Sequence, residues 1–185
     1  INTRSVNTIY LSNNKVVGHN TDITGFELAL KDIQFKVSGK KIFILGAGGV
    51  VPSIIYALNK IKVSSISLSN RTKSKAENLK NLFENIEILE WGKIPDFDII
   101  INATSVGLKN KDEINLDFSE IEKGKLFYDV IYNPSETKFL KDGKKLENKA
   151  ENGKKMFIYQ AAAAFKIWHG IQPEISDETI KLINQ

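Results

Sequence analysis

From residue 41 onward, short apolar segments alternate with longer segments of helical periodicity. The apolar segments include "KIFIL", "SSISLS" and "FDIIIN", and the helical segments include "GVVPSIIYALNKI" and "TKSKAENLKNLFEN". Strands that are apolar on both faces and alternate with helices are typical of a mostly parallel sheet that is covered on both sides. The alternation therefore predicts an α/β fold with a doubly wound, mostly parallel sheet and helices on both faces.

The first 22 residues do not fit this alternation. They contain "SVNTIYLSNNKVVGH", which predicts two short strands joined at Asn13 and Asn14, because asparagine tolerates a positive φ. Two strands cannot form a core of their own. We therefore expect residues 1–22 to be the remnant of a separate amino-terminal domain, 23–152 to form the α/β domain, and 153–185 to form helices that pack back toward the other domain.

Two segments outside the central alternation also predict helices. In "TDITGFELALKDI" the apolar residues recur at helical spacing, with Thr21 or Asp22 as the cap. The segment "GKKMFIYQAAAAFKIWHG" predicts a longer helix that ends at Gly170. We assign Phe165 and Trp168 of this helix to the core.

A glycine-rich turn directly follows the strand "KIFIL". The segment "FILGAGGVVPS" places Gly46, Gly48 and Gly49 between that strand and a helix. The first glycine permits the tight turn, the second lets the backbone approach a pyrophosphate, and the helix N-terminus attracts the anion. The third position of the G-x-G-x-x-G pattern is Val51, so a purely structural turn remains the alternative. In its strand–turn–helix context the pattern favours a nucleotide-binding domain of the Rossmann type.

The end of the next strand indicates which dinucleotide is bound. An NAD-binding unit places an acidic residue there to accept from the ribose 2′-hydroxyl. This chain has "NRTKSK" instead, with Arg71, Thr72 and Lys75. A guanidinium, a hydroxyl and an ammonium group would bind a 2′-phosphate, whereas an acid would repel it. The segment favours NADP over NAD, and a helix cap at Thr72 is compatible with this.

The net charge of +4 and the pI near 9.1 raise the question of a nucleic-acid partner. Arg4 and Arg71 are the only arginines, so the other basic side chains are lysines. The densest basic run, "KDGKKLENKAENGKK", is interrupted by acids and glycines. Base readout usually recruits arginine and aromatic residues. We therefore interpret the lysines as a solvated surface and expect no nucleic-acid partner.

Several other classes of site and location are not supported. The chain has no cysteine, which excludes disulfides, thiolate metal sites and cysteine nucleophiles. His19 and His169 lack partners at metal-ligand spacing, so we expect no metal site. The first residues do not have the pattern of a signal peptide, and no apolar stretch approaches the length that spans a bilayer. We expect a cytoplasmic protein without a membrane partner.

Further segments occur in a fixed order along the chain: "SVNT", "GHNTDITG", "GAGGVV", "NRTKSK", "NATSVG", "DVIYNPSETKFL" and "NGKKMFIYQAAAAFKIWHG". Together they closely resemble the shikimate dehydrogenase family, whose members reduce 3-dehydroshikimate with NADPH. Glutamyl-tRNA reductases share the glycine turn and "NRT", but a relative of theirs would need a catalytic cysteine. Quinate-using relatives tend to carry an acid near "NRT", and a quinate/shikimate dehydrogenase remains an alternative.

The resemblance implies which residues bind the cofactor NADP(H). The pyrophosphate would be bound by Gly46, Ala47, Gly48, Gly49 and Val50. The adenosine ribose and its 2′-phosphate would be bound by Asn70, Arg71, Thr72 and Lys75. The rest of the dinucleotide would be lined by Thr104 and Ser105 and, at the nicotinamide end, by Val130, Gly153 and Met156.

The resemblance also implies a substrate site for shikimate or 3-dehydroshikimate. Asn7 and Asp22 would bind the shikimate hydroxyls, and Tyr132 and Gln160 would reach the substrate. Asp22 would also be one member of a catalytic lysine–aspartate pair, in which a general acid supplies the proton to the developing alkoxide. The residues alone leave other interpretations open: Asn7 in a strand turn, Asp22 as a helix cap and Tyr132 as a packed loop aromatic.

In that family the catalytic lysine and a pair of serines that bind the substrate carboxylate precede the "VNT" segment. This sequence begins at Ile1, a few residues ahead of that segment. The lysines before the glycine turn lie in no matching context: Lys15, Lys31, Lys36, Lys40 and Lys41. We therefore expect that the partner of Asp22 is not in this chain, and that the chain alone binds NADP(H) with little or no activity.

Three interpretations of the missing catalytic lysine remain. The chain is a fragment of a longer enzyme, a natural half that needs a separate partner, or an NADP(H)-binding module or regulatory protein without catalysis. We favour the first, because the break falls inside a domain rather than at a linker. The substrate-side residues favour it too, since a pure nucleotide binder has no use for them. The assembly state stays open, with a homodimer as one option.

Overall fold

The computed structural model describes residues 3–109 and 113–182. The strands are β1 (Thr8–Ser12), β2 (Lys15–His19), β3 (Lys41–Leu45), β4 (Ser65–Ser69), β5 (Ile86–Leu89), β6 (Ile99–Asn102), β7 (Leu126–Asp129) and β8 (Lys149–Glu151). The helices are α1 (Asp22–Asp32), α2 (Val51–Ile61), α3 (Lys73–Lys80), α4 (Lys138–Lys145), α5 (Lys154–His169) and α6 (Asp177–Leu182).

Six strands form one parallel sheet in the order β5-β4-β3-β6-β7-β8. The chain adds strands on one side of β3 and then returns to add strands on the other, so the strand order reverses between β3 and β6. Ligands of such sheets bind in the crevice outside the carboxyl ends of the strands at this switch point. The predicted doubly wound, mostly parallel α/β fold is confirmed.

Alternate residues of the central strands face two separate core clusters. Ile42 and Ile44 of β3 belong to a first cluster with residues of α1, α2, α3 and α5. Phe43 and Leu45 belong to a second cluster with residues of α4 and the loops. All four side chains are 1% exposed or less. Because both faces of the sheet are covered, the central strands β3, β6 and β7 are largely apolar on both faces, as the sequence pattern predicts.

The first two strands form a hairpin of their own. Ser12 pairs with Lys15, and the turn residues Asn13 and Asn14 have φ of 49° and 60°, as the sequence predicts for a tight asparagine turn. The hairpin is a separate two-stranded sheet, and its Ile9 side chain is 63% exposed. The assignment of residues 1–22 to another domain stays a prediction, as do the limits 23–152 and 153–185.

The core assignment of Phe165 and Trp168 is wrong. Their side chains are 41% and 55% exposed, and the Trp168 indole Nε1 donates to the Ile9 carbonyl at 2.9 Å. The last turns of α5 reach the β1–β2 hairpin instead of the sheet. Apolar residues occur all around this helix, so the sequence does not show which side is buried.

One strand and one helix start differ from the structure that the sequence predicts. The run after Lys141 contains an unpredicted strand, β8, which pairs with β7 at the edge of the sheet. Its sequence "KAE" is half-buried and polar, so it lacks the apolar pattern of the other strands. Thr72 precedes α3, but its side chain makes no capping hydrogen bond.

Among residues 3–109 and 113–182, no helix has both the length and the apolar character that crossing a membrane requires.

Candidate active site

An open cleft of about 300 Å³ lies at the switch point of the sheet. It is bordered by the residues that follow β3, β4, β5 and β6. Its lining residues are Gly46, Ala47, Gly48, Asn70, Arg71, Thr72, Lys75, Trp91, Ala103, Thr104, Ser105 and Val106. The cleft therefore brings together most of the predicted cofactor-binding residues from separate parts of the chain.

The glycine turn is fixed by its two neighbouring strands. Gly46 has φ of +110°, and a Cβ built there would lie 2.7 Å from the Ala103 carbonyl oxygen. The Gly46 N–H donates to the Ser69 carbonyl at 2.8 Å. A Cβ at Gly48 would meet only the Ala103 carbonyl oxygen, at the ordinary contact distance of 3.8 Å, so this position is not crowded. Gly46 thus permits the turn, and Gly48 leaves room for a ligand to approach the backbone.

The remaining residues of the turn lead into α2. A Cβ at Gly49 would meet no atom within 4 Å, and Val50 is the N-cap residue of the helix. Val51, which occupies the third glycine position of the pattern, is fully buried in the first core cluster. Here a valine fills the space between helix and sheet that a glycine leaves in other dinucleotide-binding turns.

Basic and polar side chains follow β4 on one side of the cleft. Asn70 Nδ2 donates to the Thr72 carbonyl at 2.8 Å and holds this short segment in a turn. The Arg71 and Lys75 side chains are exposed, and within 3–109 and 113–182 neither has a carboxylate partner within 4 Å. The cleft lining includes no acidic residue of the described chain. This end of the cleft can bind a dianion such as a phosphate monoester.

The loop after β6 is organised by the fully buried side chain of Asn102. Its Oδ1 accepts from Thr104 N at 3.1 Å and from Thr104 Oγ1 at 2.7 Å, and its Nδ2 donates to the Val106 carbonyl at 3.2 Å. The same Nδ2 donates to Asp129 Oδ1 at 3.0 Å. Asn102 therefore fixes Thr104 and Ser105 at the cleft and links them to the end of β7.

Asp129 extends this buried network to α4. Its carboxylate accepts hydrogen bonds from Ile131 N at 3.0 Å and from the Thr137 hydroxyl. Burial raises the pKa of Asp129 to about 6, and the hydrogen bonds from Thr137, Ile131 and Asn102 oppose that increase. Neither Asp129 nor Asn102 was identified as a site residue from the sequence, because the hydrogen bond that joins them links two residues that are distant along the chain.

We expect Asp129 to make the stability of the fold depend on pH. Because the folded-state pKa is raised, the contribution of Asp129 is fully present below about pH 4 and is lost as the pH rises through about 6. The shift corresponds to a loss of about 3 kcal/mol. In urea unfolding across this range, the wild type should lose more stability than Asp129→Asn by about this amount. An equal pH dependence in both proteins would contradict this prediction.

Asn7 and Asp22 form a hydrogen-bonded pair between the hairpin and the start of α1. Asn7 Nδ2 donates to Asp22 Oδ1 at 2.8 Å, and Asn7 Oδ1 accepts from Thr21 N at 2.9 Å. Asp22 is the first residue of α1, and Thr21 precedes it without a capping hydrogen bond from its side chain. Thr21 is thus the N-cap residue by position, which is one of the two predicted positions, although its side chain makes no capping hydrogen bond.

The environment of Asp22 is partly buried. Burial raises its pKa, and the hydrogen bond from Asn7 opposes that increase. Within residues 3–109 and 113–182, no lysine, arginine or histidine nitrogen lies within 4 Å of the Asp22 carboxylate. The same part of the chain contains no group of three or more residues that could hold a metal ion.

Gln160 reaches the same cluster because α1 and α5 approach closely. A Cβ at Gly25 would lie 2.7 Å from the Met156 carbonyl oxygen and 2.8 Å from Gln160 Cβ. This contact brings the Thr21 hydroxyl within 3.3 Å of Gln160 Oε1. The structure thus joins Asn7, Asp22 and Gln160 in one polar cluster, although they lie far apart in the sequence.

The other predicted site residues lie where the end of β7 meets the start of α5. Gly153 N donates to the Ile131 carbonyl at 3.1 Å, and a Cβ at Gly153 would lie 2.0 Å from the Val130 carbonyl oxygen. Met156 is 4% exposed and packs in the first core cluster. Tyr132 is 40% exposed and stacks on Phe157 with ring centroids 4.5 Å apart. These residues lie at the same sheet edge as the cleft.

Three cleft residues were not found from the sequence: Trp91, Ala103 and Val106. Trp91 follows β5, and its place beside the "NRTKSK" segment depends on the parallel pairing of β4 with β5. If the strand order had been known, Trp91 could have been predicted at the cleft, because the carboxyl ends of neighbouring parallel strands lie at one edge of the sheet.

The fold and the site define a class of protein. A parallel sheet with a glycine turn at its switch point and a basic group at the next strand end is a Rossmann-type dinucleotide-binding domain. Here a polar cluster of Asn7, Asp22 and Gln160 accompanies that domain.

Comparisons with known proteins identify the family. The family model described as "Shikimate / quinate 5-dehydrogenase" matches residues 27–130, and the one described as "Shikimate 5'-dehydrogenase C-terminal domain" matches 155–177. A protein of Pelagibacter ubique named shikimate dehydrogenase (NADP(+)) is 59% identical over 181 residues, which cover 98% of this chain and 68% of that protein. The chain belongs to the shikimate / quinate dehydrogenase family.

Two solved structures show the same likeness. Shikimate 5-dehydrogenase of Thermus thermophilus, in complex with NADP(H) and shikimate, has a TM-score of 0.83 and 29% identity over 94% of this chain and 65% of that one. Quinate dehydrogenase of Corynebacterium glutamicum, in complex with NAD, has a TM-score of 0.89 and 26% identity over 100% of this chain and 69% of that one. The chain thus spans about two thirds of the length of these relatives.

Proposed function

We propose that this chain is the NADP(H)-binding part of a shikimate dehydrogenase, which reversibly reduces 3-dehydroshikimate to shikimate. The observation that carries the proposal is that one cleft combines the glycine turn with Arg71, Thr72 and Lys75 and has no acidic residue of the described chain in its lining. This combination suits a dinucleotide with a 2′-phosphate. The names of the Pelagibacter and Thermus relatives support the same cofactor and substrate.

The residues of the cleft fit the cofactor. The uncrowded backbone at Gly48 and the open space at Gly49 would accommodate a pyrophosphate against the turn and the N-terminus of α2. Arg71 and Lys75 would bind the 2′-phosphate, and Thr104, fixed by Asn102, would line the middle of the dinucleotide. When bound, NADPH supplies a hydride to the substrate carbonyl carbon, and NADP⁺ accepts one in reverse. Val130, Gly153 and Met156 would surround the reacting end.

The polar cluster would orient the substrate and assist proton transfer. Asn7 and Gln160 offer amide groups to the substrate hydroxyls, and Asn7 also holds the Asp22 carboxylate in place. Tyr132, stacked on Phe157, has the exposed surface to contact the substrate. Asp22 would form a proton-transfer pair with a lysine and so act at the substrate oxygen. In this family that lysine precedes the "VNT" segment.

Because the described residues place no lysine near Asp22, we infer that the chain alone binds NADP(H) but shows little or no turnover. The test is to add NADP⁺ and shikimate to the 185-residue chain and to follow NADPH absorbance, with NADP⁺ binding measured by calorimetry. Binding without a shikimate-dependent rate supports the proposal. A clear rate would mean that another group of this chain replaces the lysine, and absence of binding would refute the cofactor assignment.

We expect Arg71→Ala to lower the affinity for NADP⁺ by roughly 10- to 100-fold, because a hydrogen bond to a charged group contributes about 1.5–3 kcal/mol. The affinity for NAD⁺, which has no 2′-phosphate, should change by less than about twofold. Calorimetric titration with both dinucleotides measures the difference. Lys80→Ala is the matched control, since it removes the same charge from the far end of α3. Equal losses for NADP⁺ and NAD⁺ would contradict the role of Arg71.

A quinate/shikimate dehydrogenase that uses NAD is the second candidate, favoured by the likeness to the Corynebacterium quinate dehydrogenase. It would bind NAD⁺ at least as tightly as NADP⁺. The cleft contains Arg71 where such an enzyme tends to have an acid, and this favours the first candidate. A cytoplasmic location and a homodimeric assembly stay predictions, and so does the alternative of a regulatory NADP(H)-binding module.

A further inference from the structure

Trp91 borders the dinucleotide cleft on the side of the "NRTKSK" segment. In the parallel pair β4–β5, Ser69 is the register partner of Leu89. Arg71 lies two residues beyond Ser69, and Trp91 lies two residues beyond Leu89. Both side chains line the same cleft, together with Thr72 and Lys75. The indole is therefore placed at the basic end of the cleft.

Trp91 packs against the core and also borders the cleft. Trp91 is half-buried and packs against the second core cluster. Among residues 3–109 and 113–182, its Nε1 has no hydrogen-bond acceptor within 3.5 Å, whereas Nε1 of Trp168 donates to the Ile9 carbonyl. Trp91 also lines the cleft, where the part of it that is not packed against the core can meet a ligand.

We propose that Trp91 binds the adenine ring of the dinucleotide by offering its indole as an aromatic wall of the cleft. This inference rests on the proposed binding of NADP(H). If Arg71 and Lys75 bind the 2′-phosphate, the adenosine ribose lies beside them, and the base on that ribose must lie within reach of the same part of the cleft. Trp91 is the aromatic residue that lines this part in the described chain.

An aromatic side chain in this open, polar cleft would bind the flat face of the adenine ring. Aromatic side chains stack on bases, and replacing one with alanine costs about 1–3 kcal/mol per base. Because the Trp91 side chain is already held against the core, little conformational freedom is lost when the base binds. The adenosine part of the cofactor would then bind through both its phosphate and its base.

The test uses Trp91→Leu, which keeps an apolar side chain against the core but has no aromatic face, and Trp91→Phe, which restores an aromatic face. Trp168→Phe is the matched control, because it changes the only other tryptophan of the chain. Each protein is titrated calorimetrically with NADP⁺ and with adenosine 2′,5′-bisphosphate. We expect Trp91→Leu to weaken both ligands by about tenfold, and the other two variants to change each affinity by less than about threefold.

Fluorescence gives an independent readout. In Trp168→Phe all tryptophan emission comes from Trp91, and it should be quenched when adenosine 2′,5′-bisphosphate binds. In Trp91→Phe the emission comes from Trp168 and should not change. Adenine does not absorb at the wavelengths that tryptophan emits, so quenching reports contact and not energy transfer.

Two outcomes would overturn the inference, and they can be distinguished. If the wild type binds NADP⁺ and Trp91→Leu binds it equally well, with no quenching of Trp91, the adenine contact is wrong and the proposed cofactor stands. If the wild type binds neither NADP⁺ nor adenosine 2′,5′-bisphosphate, the proposed function itself fails, and the adenine contact fails with it.

Discussion

Asp22→Asn is expected to lower kcat by roughly 10²- to 10⁴-fold, the usual contribution of general acid–base catalysis. The assay joins this chain to the part of the Pelagibacter relative that it does not cover, so that the family's lysine is present. Asparagine has the shape of aspartate and keeps an oxygen that can accept from Asn7 Nδ2, which lies 2.8 Å from Asp22 Oδ1. Only the charge and the proton-transfer capacity are lost.

The control for Asp22→Asn is Asp32→Asn at the other end of α1. Asp32 accepts from the Tyr159 hydroxyl at 2.6 Å and lies 3.4 Å from Lys155 Nζ, so it is also a bonded carboxylate of the same helix. We expect its kcat to stay within about twofold of the unsubstituted protein. Equal kcat values for Asp22→Asn and the unsubstituted protein would refute the catalytic role.

Asp22→Asn should not destabilise the fold. Since burial raises the pKa of Asp22, its ionised form is disfavoured in the folded state at neutral pH, and a neutral asparagine removes that cost. Unfolding by urea at neutral pH should therefore give a midpoint equal to or above that of the wild type. A loss of activity together with a lower midpoint would instead indicate a structural role for Asp22.

The sequence predicts most of the sheet because local signals determine it. Strands apolar on both faces, the turn at Asn13 and Asn14, and Gly46 at the end of β3 each depend on neighbours a few residues away. β8 has no such signal, because an edge strand needs no apolar face and its residues are lysine, alanine and glutamate. Its position depends on its pairing with β7.

The candidate site is predictable in part for the same reason. The glycine turn and "NRTKSK" are local motifs, and the family resemblance supplied the more distant residues. Asn102 and Asp129 were missed because their roles arise from a pairing across two strands, in which Asn102 Nδ2 lies 3.0 Å from Asp129 Oδ1. Trp91 was missed because its place at the cleft follows from the order of β4 and β5.

Gly153→Ala is expected to lower the free energy of unfolding by about 3 kcal/mol, at the upper end for overpacking. A Cβ at Gly153 would lie 2.0 Å from the Val130 carbonyl oxygen and 2.5 Å from its carbon, both of which are backbone atoms. The neighbouring carbonyl cannot move freely, because Val130 and Ile131 follow β7 directly and the Ile131 carbonyl accepts from Gly153 N. The start of α5 must therefore shift.

A shift of α5 would also change both the cofactor site and the substrate site, since α5 contains Met156 at the first and Gln160 at the second. We expect weaker NADP⁺ binding together with the lower stability, measured by calorimetry and by urea unfolding. Gly49→Ala is the stability control: a Cβ there would meet no atom within 4 Å, so its unfolding midpoint should be equal to or above that of the wild type. If Gly153→Ala were as stable as Gly49→Ala, the close approach of α5 to the end of β7 would not be required by the fold. Gly153 would then be required only for binding the ligand, and Gly153→Ala would lower the affinity for NADP⁺ without lowering the stability.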